Sequence, residues 1–172
     1  MTEDILIVDD EADIRTLVSG LLEDEGYEAR EAADGDETLA AVSVRRPSLI
    51  LLDIWLQGSR LDGMQILERL KQDHPSVPVV IMSGHGTIET AVQAIKLGAY
   101  DFIEKPFKAD RMILVIRRAI EAARLKRENE ELRTRAGSGL ELIGQSTLIN
   151  QLRHSIDRVA PTNSRVLISG PA

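Results

Sequence analysis

The sequence has no cysteine, few aromatic residues and no long apolar run. Its 172 residues include two Phe, two Tyr and one Trp, so aromatic side chains make up only 3% of the chain. The absence of cysteine excludes disulfides. Together with the lack of a leader or a membrane-length segment, it predicts a protein of the reducing bacterial cytoplasm with no membrane partner. Because 43% of the residues are apolar and few of these are aromatic, we expect a core of Leu, Ile, Val and Ala.

The chain also has fewer basic residues than acidic residues. Lys and Arg number 21 against 28 Asp and Glu, which gives a formal net charge of −7 at pH 7. Binding to nucleic acid requires a concentrated basic surface, so this chain is not expected to bind DNA by itself. Its length allows one domain and the beginning of another.

Short apolar runs alternate with helical patterns over the first two thirds of the chain. Five strand-sized runs lie at Asp4–Val8, Tyr27–Ala32, Leu49–Leu52, Val77–Met82 and Tyr100–Glu104. The stretches between them have apolar residues at helical spacing, and Gly26 and Gly98 stand where two of these helices should end. This alternation predicts an α/β domain, a doubly wound five-stranded parallel sheet with helices on both faces.

Polar side chains follow four of the predicted strands. They are Asp9 and Asp10 after the first strand, Asp53 after the third, Ser83 after the fourth and Lys105 after the fifth. In a 2-1-3-4-5 strand order the three carboxylates would converge at the carboxyl ends of the strands. Crowded carboxylates need positive charge nearby, and oxygen ligands favour a hard cation such as Mg²⁺. Beside Mg²⁺, an ammonium and a hydroxyl, the Asp53 carboxylate is equipped to accept a phosphoryl group.

Each of these residues has a simpler interpretation when it is taken alone. An Asp-Asp pair is commonly a turn or a helix cap, Ser83 could cap the helix that follows it, and Lys105 could be a solvated surface charge. Their joint occurrence at four strand ends of one predicted sheet favours the phosphoacceptor site.

The segments IVDDE, LLDIW, IMSGHG and DFIEKPF together resemble the receiver domain of two-component response regulators, over residues 1–120. The resemblance implies a CheY-like, flavodoxin-like fold with strand order 2-1-3-4-5. It also implies that a sensor histidine kinase transfers a phosphoryl group to Asp53, and that the domain acts in signalling and is not an enzyme with turnover.

The resemblance also assigns roles to individual residues. It implies that Asp9, Asp10, Asp53 and the backbone oxygen of Trp55 bind Mg²⁺, that Lys105 and Ser83 contact the phosphoryl group, that Ser83 and Phe102 are the switch residues, and that the Lys105–Pro106 bond is cis. Phosphorylation would then switch the face formed by the fourth helix, fifth strand and fifth helix, and so control dimerisation.

The loop after Asp53 departs from most receivers, because IWLQGSRLDG is longer and has no proline. The sequence does not determine the conformation of this loop. With this loop, the sequence most resembles the NtrC family of regulators and, within it, the NtrX type of nitrogen regulation. Trp55, Gly84, His85 and Pro106 flank the predicted pocket. Trp55 and His85 are candidates for shielding an acyl phosphate from water. The alternative for Trp55 is a loop anchor packed on the surface, and His85 is a poor match to Mg²⁺.

The sequence after Pro106 predicts an extended helix with a linker over 121–139. A heptad pattern places Val115, Ala122 and Asn129 at a and Leu125 and Leu132 at d, which favours a parallel homodimer. Arg118 interrupts the pattern at a d position, and the alternative is one long solvated helix.

Residues 140–172 resemble the beginning of the AAA+ ATPase domain of regulators that act with sigma-54 RNA polymerase. A helix is followed by SRVLIS, a strand pattern that leads to Gly170. The Lys and Ser/Thr that a phosphate-binding loop needs are not in this sequence, so we expect no ATP hydrolysis. For the whole regulator the resemblance implies sigma-54 RNA polymerase, ATP and DNA as further partners.

Two other classes share parts of this pattern. A haloacid-dehalogenase-like phosphohydrolase also combines an Asp nucleophile with Mg²⁺, Ser/Thr and Lys, but its nucleophile belongs to an Asp-x-Asp on the first strand, which VDDEAD lacks. The phosphohydrolase is kept as the alternative function. A flavodoxin shares the topology, but the acidic VDDEAD would repel the flavin phosphate.

Overall fold

The computed structural model describes residues 2–84, 87–138, 144 and 146–162. The chain divides into two compact units, Met1–Glu128 and Asn129–Ala172. In the first unit the strands are β1 Asp4–Val8, β2 Glu28–Ala32, β3 Leu49–Asp53, β4 Val79–Ser83 and β5 Asp101–Glu104. The helices are α1 Ala12–Asp24, α2 Gly35–Val44, α3 Gly63–Asp73, α4 Ile88–Lys96 and α5 Ala109–Ser138, the last of which continues into the second unit.

All five strands pair in parallel, in the order β2-β1-β3-β4-β5. This confirms the predicted fold class and strand order. The predicted bounds differ by a few residues at β4, which begins at Val79 and not at Val77. Pro78 precedes it and has no N–H to give to the ladder, although its carbonyl still accepts the N–H of Ile50 at 3.0 Å.

The core lies on both faces of the sheet, because alternate residues of each central strand point to opposite sides. Leu6, Ile50 and Ile81 belong to a cluster that α2, α3 and α4 cover, through residues such as Val42, Ile66 and Ala94. Ile7, Leu51 and Val80 belong to a second cluster, which α1 and α5 cover through residues such as Val18 and Ile116. Burial on both faces explains the continuous apolar runs of β1, β3 and β4.

β2 is an edge strand and is held by polar contacts. The guanidinium of Arg30 in β2 donates two hydrogen bonds to the carboxylate of Asp4 at the start of β1, at 2.8 and 2.7 Å. Another nitrogen of the same group donates to the carbonyl of Ala41 in α2 at 3.0 Å. The half-exposed EAREA sequence therefore forms a strand although its apolar pattern is weak.

Glycines end two helices, as predicted. Gly26 and Gly98 have φ angles of 83° and 99°, in the left-handed region that side chains other than glycine rarely adopt. At the start of α3, Asp62 and Gln65 form a capping box in which each side chain accepts the other residue's backbone N–H.

The long loop between β3 and α3 is anchored by aliphatic side chains. Ile54 and Leu56 are buried, whereas Trp55 between them is 57% exposed. Ser59 fixes the far part of the loop, since its hydroxyl donates to the carbonyl of Leu61 and accepts the N–H of Gly35 from α2. The aliphatic neighbours of Trp55 therefore anchor this part of the loop, and both predicted roles of Trp55 stay predictions.

α5 is extended, as predicted, and spans 30 residues. Four residues of the predicted dimer stripe are exposed on it: Ala122, Leu125, Asn129 and Leu132. Val115 differs, because it is partly buried against the core of its own domain. The stripe available to a partner therefore begins at Ala122.

The second unit contains α6, Thr147–Val159, which Ser146 caps by accepting the backbone N–H of Ile149. This is the helix predicted after residue 140. The predicted strand SRVLIS lies outside the described residues. None of the helices within the described ranges combines the length and the apolarity that a membrane crossing requires.

Replacing Gly63 by alanine tests the contact between α3 and the end of β3. A Cβ at this position would lie 2.1 Å from the backbone oxygen of Asp53 and 2.6 Å from Cα of Ile54. Because both atoms belong to the backbone, we expect Gly63→Ala to lower the free energy of unfolding by about 1–3 kcal/mol in urea titrations. Gly20→Ala in α1 is the control, since its Cβ would meet no atom within 4 Å and should stabilise the protein by up to about 1 kcal/mol. Equal stabilities of the two variants would contradict this account.

Candidate functional site: an acidic pocket at the carboxyl edge of the sheet

Lys105 joins two carboxylates that come from different strands. Its ammonium Nζ lies 2.6 Å from Oδ2 of Asp9, which follows β1, and 2.6 Å from Oδ2 of Asp53, the last residue of β3. Asp9 is fully buried and Asp53 is 4% exposed. The neighbouring positions of β1 and β3 in the sheet bring the carboxylates together, and Lys105 reaches them from the end of β5.

The second oxygen of each carboxylate accepts a hydrogen bond from the nearby backbone. Oδ1 of Asp53 accepts the N–H of Trp55 at 3.2 Å, and Oδ1 of Asp9 accepts the N–H of Glu11 at 3.0 Å. Each carboxylate is thus held by one local backbone group and by one shared ammonium. These contacts fix the carboxylates in orientation.

Burial and charge act against each other in this pocket. Burial raises the pKa of Asp53, and the charge of Asp9 raises it further, while the contacts with Lys105 and the Trp55 N–H oppose the rise. Burial alone would lower the pKa of Lys105. Hydrogen bonds and charge attraction to Asp53 and Asp9 outweigh this effect, so the pKa of Lys105 is raised. The ammonium is therefore kept charged where it touches both acids.

A family profile described as "Response regulator receiver domain" matches residues 5–117. The chain belongs to this family. The matched range contains the acidic pocket, strands β2 to β5 and all of β1 except its first residue, so the fold and the family agree.

Several proteins similar to this receiver carry the name NtrX. The "Nitrogen assimilation regulatory protein NtrX" of Azorhizobium caulinodans is 60% identical over 172 residues, which are all of this chain and 38% of that protein. A crystal structure of NtrX from Brucella abortus is 61% identical with a TM-score of 0.78, and the match covers 96% of this chain and 36% of that one. The crystal structure of its receiver domain is 66% identical with a TM-score of 0.67, over 69% of this chain and 98% of that one.

These similarities confirm the resemblance to the NtrX type of the NtrC family. The receiver and its extension span little more than a third of the length of the first two of these relatives. Properties of the longer proteins therefore do not pass directly to this chain.

The acidic residues of the receiver fit a magnesium ion. Carboxylate oxygens of Asp9, Asp10 and Asp53 all lie within 4.8 Å of one another. Such a set of hard oxygen donors, with no sulfur or imidazole among the three, suits Mg²⁺. The backbone oxygen of Trp55 stays a predicted fourth ligand.

The predicted switch residues lie on adjacent strands of the receiver. Ser83 is fully buried at the end of β4, and its carbonyl accepts the N–H of Lys105 at 2.8 Å. Phe102 pairs with Ile81 in the sheet and is partly buried against the core. The cap of α4 is Thr87, whose hydroxyl accepts the N–H of Thr90, so Ser83 does not cap that helix.

The flanking residues are only partly described. Gly84 is exposed next to the stem of Lys105, and the Lys105–Pro106 bond is cis, as predicted. Trp55 is exposed beside Asp53. His85 lies outside the described residues, so its predicted role in shielding stays a prediction.

Arg15 in α1 is a residue of the pocket that the sequence patterns did not indicate. One guanidinium nitrogen, Nη1, donates to the backbone carbonyls of Asp9 and Asp10 at 2.7 and 3.2 Å. Its Nε donates to Glu31 of β2 at 3.1 Å. Arg15 therefore fixes the backbone that carries two of the three carboxylates. A regular helical spacing gives no sign of this role, because the contact is to carbonyls and not to side chains.

Replacing Arg15 by alanine should loosen the acidic loop and weaken Mg²⁺ binding. Residues that orient metal ligands from outside typically change affinity by 10–100-fold, so we expect Arg15→Ala to raise the dissociation constant about tenfold. Fluorescence of Trp55, the single tryptophan and a neighbour of Asp53, reports the titration.

Arg117→Ala is the matched control for this prediction. Arg117 on α5 forms an exposed ion pair with Glu25 at 3.6 Å. Its replacement by alanine removes the same charge as Arg15→Ala, but at a position away from the pocket. An unchanged Mg²⁺ affinity of Arg15→Ala, or an equal change in both variants, would contradict the positioning role.

Proposed function

We propose that this chain accepts a phosphoryl group on Asp53 from a sensor histidine kinase and acts as a phosphorylation switch. The observation that carries the proposal is the contact of Lys105 with both Asp9 and Asp53 at 2.6 Å. A buried carboxylate beside a fixed ammonium and two further acids combines a nucleophile with charge that can neutralise the transferred group.

The transfer forms one bond and breaks one. An oxygen of Asp53 attacks the phosphorus of a phosphohistidine on the kinase, the phosphorus–nitrogen bond breaks, and its electron pair stays on the imidazole nitrogen, which takes up a proton. Lys105 lies within hydrogen-bonding distance of the attacking carboxylate and neutralises negative charge that develops on the phosphoryl oxygens.

Mg²⁺ would be held by Asp9, Asp10 and Asp53, and when bound it supplies further neutralisation of the phosphoryl oxygens. The residues of the chain contribute the geometry. The Trp55 N–H orients the acceptor carboxylate, Arg15 fixes the acidic loop, and burial excludes water from the acceptor.

The output surface consists of α4, β5 and the first turns of α5. Three apolar residues of α4 are exposed, namely Ile88, Val92 and Ile95, and so is Tyr100 before β5. Ser83 and Phe102 connect the acceptor end of the sheet to this surface, so a phosphoryl group that engages Ser83 can bias its arrangement. Receivers of this family dimerise, and we assign that role here to the same surface together with the exposed stripe of α5.

In the longer relatives, a dimer of receivers would control an ATPase domain that acts with sigma-54 RNA polymerase on DNA. Support for this part of the proposal is the identity with NtrX along the whole chain, including the residues after α5. A phosphohydrolase is not favoured, because Asp53 is on β3 and not on the first strand.

Replacing the acceptor tests the chemistry. Asp53→Asn keeps the shape of the side chain and removes the nucleophile, so labelling by acetyl phosphate should fall at least about 100-fold, as should labelling of the parent protein in EDTA. Radiolabel retained on the protein after denaturing electrophoresis is the measurement. Asp73→Asn is the control, because Asp73 is an exposed acid at the end of α3 and should leave labelling unchanged. Steady release of phosphate from simple esters would instead support the phosphohydrolase.

Replacing one leucine of the α5 stripe tests the dimer. Leu125 is 54% exposed, and its burial between two chains is worth about 1.5–3 kcal/mol per side chain. We expect Leu125→Gln to weaken dimerisation of the phosphorylated protein at least about tenfold in light-scattering titrations. Leu17→Gln is the matched control, since Leu17 on α1 is 55% exposed and lies outside the proposed interface. Equal dimerisation of the two variants would exclude the α5 stripe.

A further inference from the structure

A small cleft lies at the amino ends of the strands, at the edge of the sheet opposite the acidic pocket. Arg46 and Ser48 before β3, Ser76 before β4, and Arg124 and Arg127 on α5 line a cavity of about 50 Å³. We call this cavity the basic cleft. It belongs entirely to the first unit and shares no residue with the phosphoacceptor site.

A second groove continues the basic cleft along α5. Lys71 and Lys126 line this groove of about 160 Å³, and Ser76, Pro78 and Ala123 line both cavities. Five cationic side chains therefore line these two adjoining cavities, which together we call the depression, in a chain whose net charge is −7.

Most of these cations lack an acidic partner. Of the five, only Arg124 forms an ion pair within 4 Å among the described residues, with Glu128 at 3.7 Å. In contrast, Arg15, Arg30 and Arg45 elsewhere in the domain each contact a carboxylate. Glu3 is the one acid among the residues that line the basic cleft. The depression thus carries an excess of positive charge.

The environment of Lys71 is consistent with this excess. Burial lowers the pKa of Lys71, and the charge of Lys126 lowers it further. The Lys71 ammonium donates to the backbone oxygen of Val77 at 2.5 Å, and a carbonyl does not neutralise its charge. An anion in the depression would relieve the repulsion between these groups.

The cleft also offers directed donors. A guanidinium nitrogen of Arg46 donates to the hydroxyl of Ser76, which leaves the other guanidinium N–H groups available for a ligand. One planar guanidinium group can donate two parallel hydrogen bonds to two oxygens of a phosphoryl group. A cavity of about 50 Å³ holds a few water molecules or one oxyanion of phosphate size, and is too small for a folded peptide segment.

We infer that the basic cleft binds a phosphate-type oxyanion through Arg46, Arg124 and Arg127. The bound oxyanion connects the loop before β3 with α5 just where α5 leaves the core of the domain. The site is separate from the phosphoacceptor pocket and does not depend on the function of Asp53. Its ligand is free inorganic phosphate or the phosphoryl group of a small phosphorylated metabolite.

Thermal unfolding of the whole chain with added inorganic phosphate tests this inference. EDTA is present, so that the acidic pocket without a divalent ion repels the anion, and ionic strength is held constant with sodium chloride. A ligand that binds only the folded state stabilises it by RT ln(1 + [L]/Kd), so the rise in melting temperature over a phosphate titration reports the dissociation constant. In Arg46→Gln/Arg127→Gln the dissociation constant should increase at least about tenfold, because charged hydrogen bonds to the anion are lost.

Arg69→Gln/Arg118→Gln is the matched control. It removes two arginines of α3 and α5 that do not line the basic cleft, and it should respond to phosphate like the parent. Arg127→Gln alone serves as a milder variant, since its exposed side chain can be changed with little effect on folding. Ribose 5-phosphate distinguishes the two sources: tighter binding than phosphate indicates a metabolite, and equal binding indicates the free ion.

Two outcomes would overturn the inference. One is a phosphate-dependent rise in melting temperature that is the same in the parent, the cleft variant and the control, which would reflect a general salt effect. The other is the absence of any response to phosphate and ribose 5-phosphate in the parent protein; binding to duplex DNA alone would then assign the cations to a macromolecule. Phosphorylation of Asp53 is measured in parallel, and its loss or retention has no bearing on either result.

Discussion

One ammonium group holds the acidic pocket together. Lys105 neutralises part of the charge of Asp9 and Asp53, two buried carboxylates that would otherwise repel each other where water cannot screen them. The contact requires β1 and β3 to be neighbours and β5 to end at the same level of the sheet. The strand order places these three charged groups together. The apolar strands and the helices on both faces hold that order in place.

Much of the fold follows from residue patterns that are local. β1, β3 and β4 are continuous apolar runs because they are covered on both faces, and Gly26 and Gly98 end helices because a left-handed residue is required there. Details that depend on other parts of the chain could not be predicted. The start of β4 depends on Pro78, and the half-burial of Val115 depends on how far the core of the domain extends along α5.

The sequence predicted those residues of the pocket that directly follow or end an apolar strand, such as Asp9, Asp53 and Lys105. Arg15 was not predicted, because it acts on backbone carbonyls that have no sequence signature. The same holds for the basic cleft, where Arg46 of the loop before β3 meets Arg124 and Arg127 of α5, which are far from it in the sequence. Long-range proximity of this kind has no periodic signal.

The loop between β3 and α3 is closed at its base by the Gly63 N–H, which donates to the carbonyl of Ile54 at 2.9 Å, and by the buried side chain of Ile54. Both ends of the loop are thus tied next to Asp53, and between them Leu56 is buried whereas Trp55, Gln57, Gly58 and Arg60 are exposed. A substitution at an exposed position such as Trp55 therefore alters the surface beside the pocket, while the two ends of the loop stay fixed next to the acceptor.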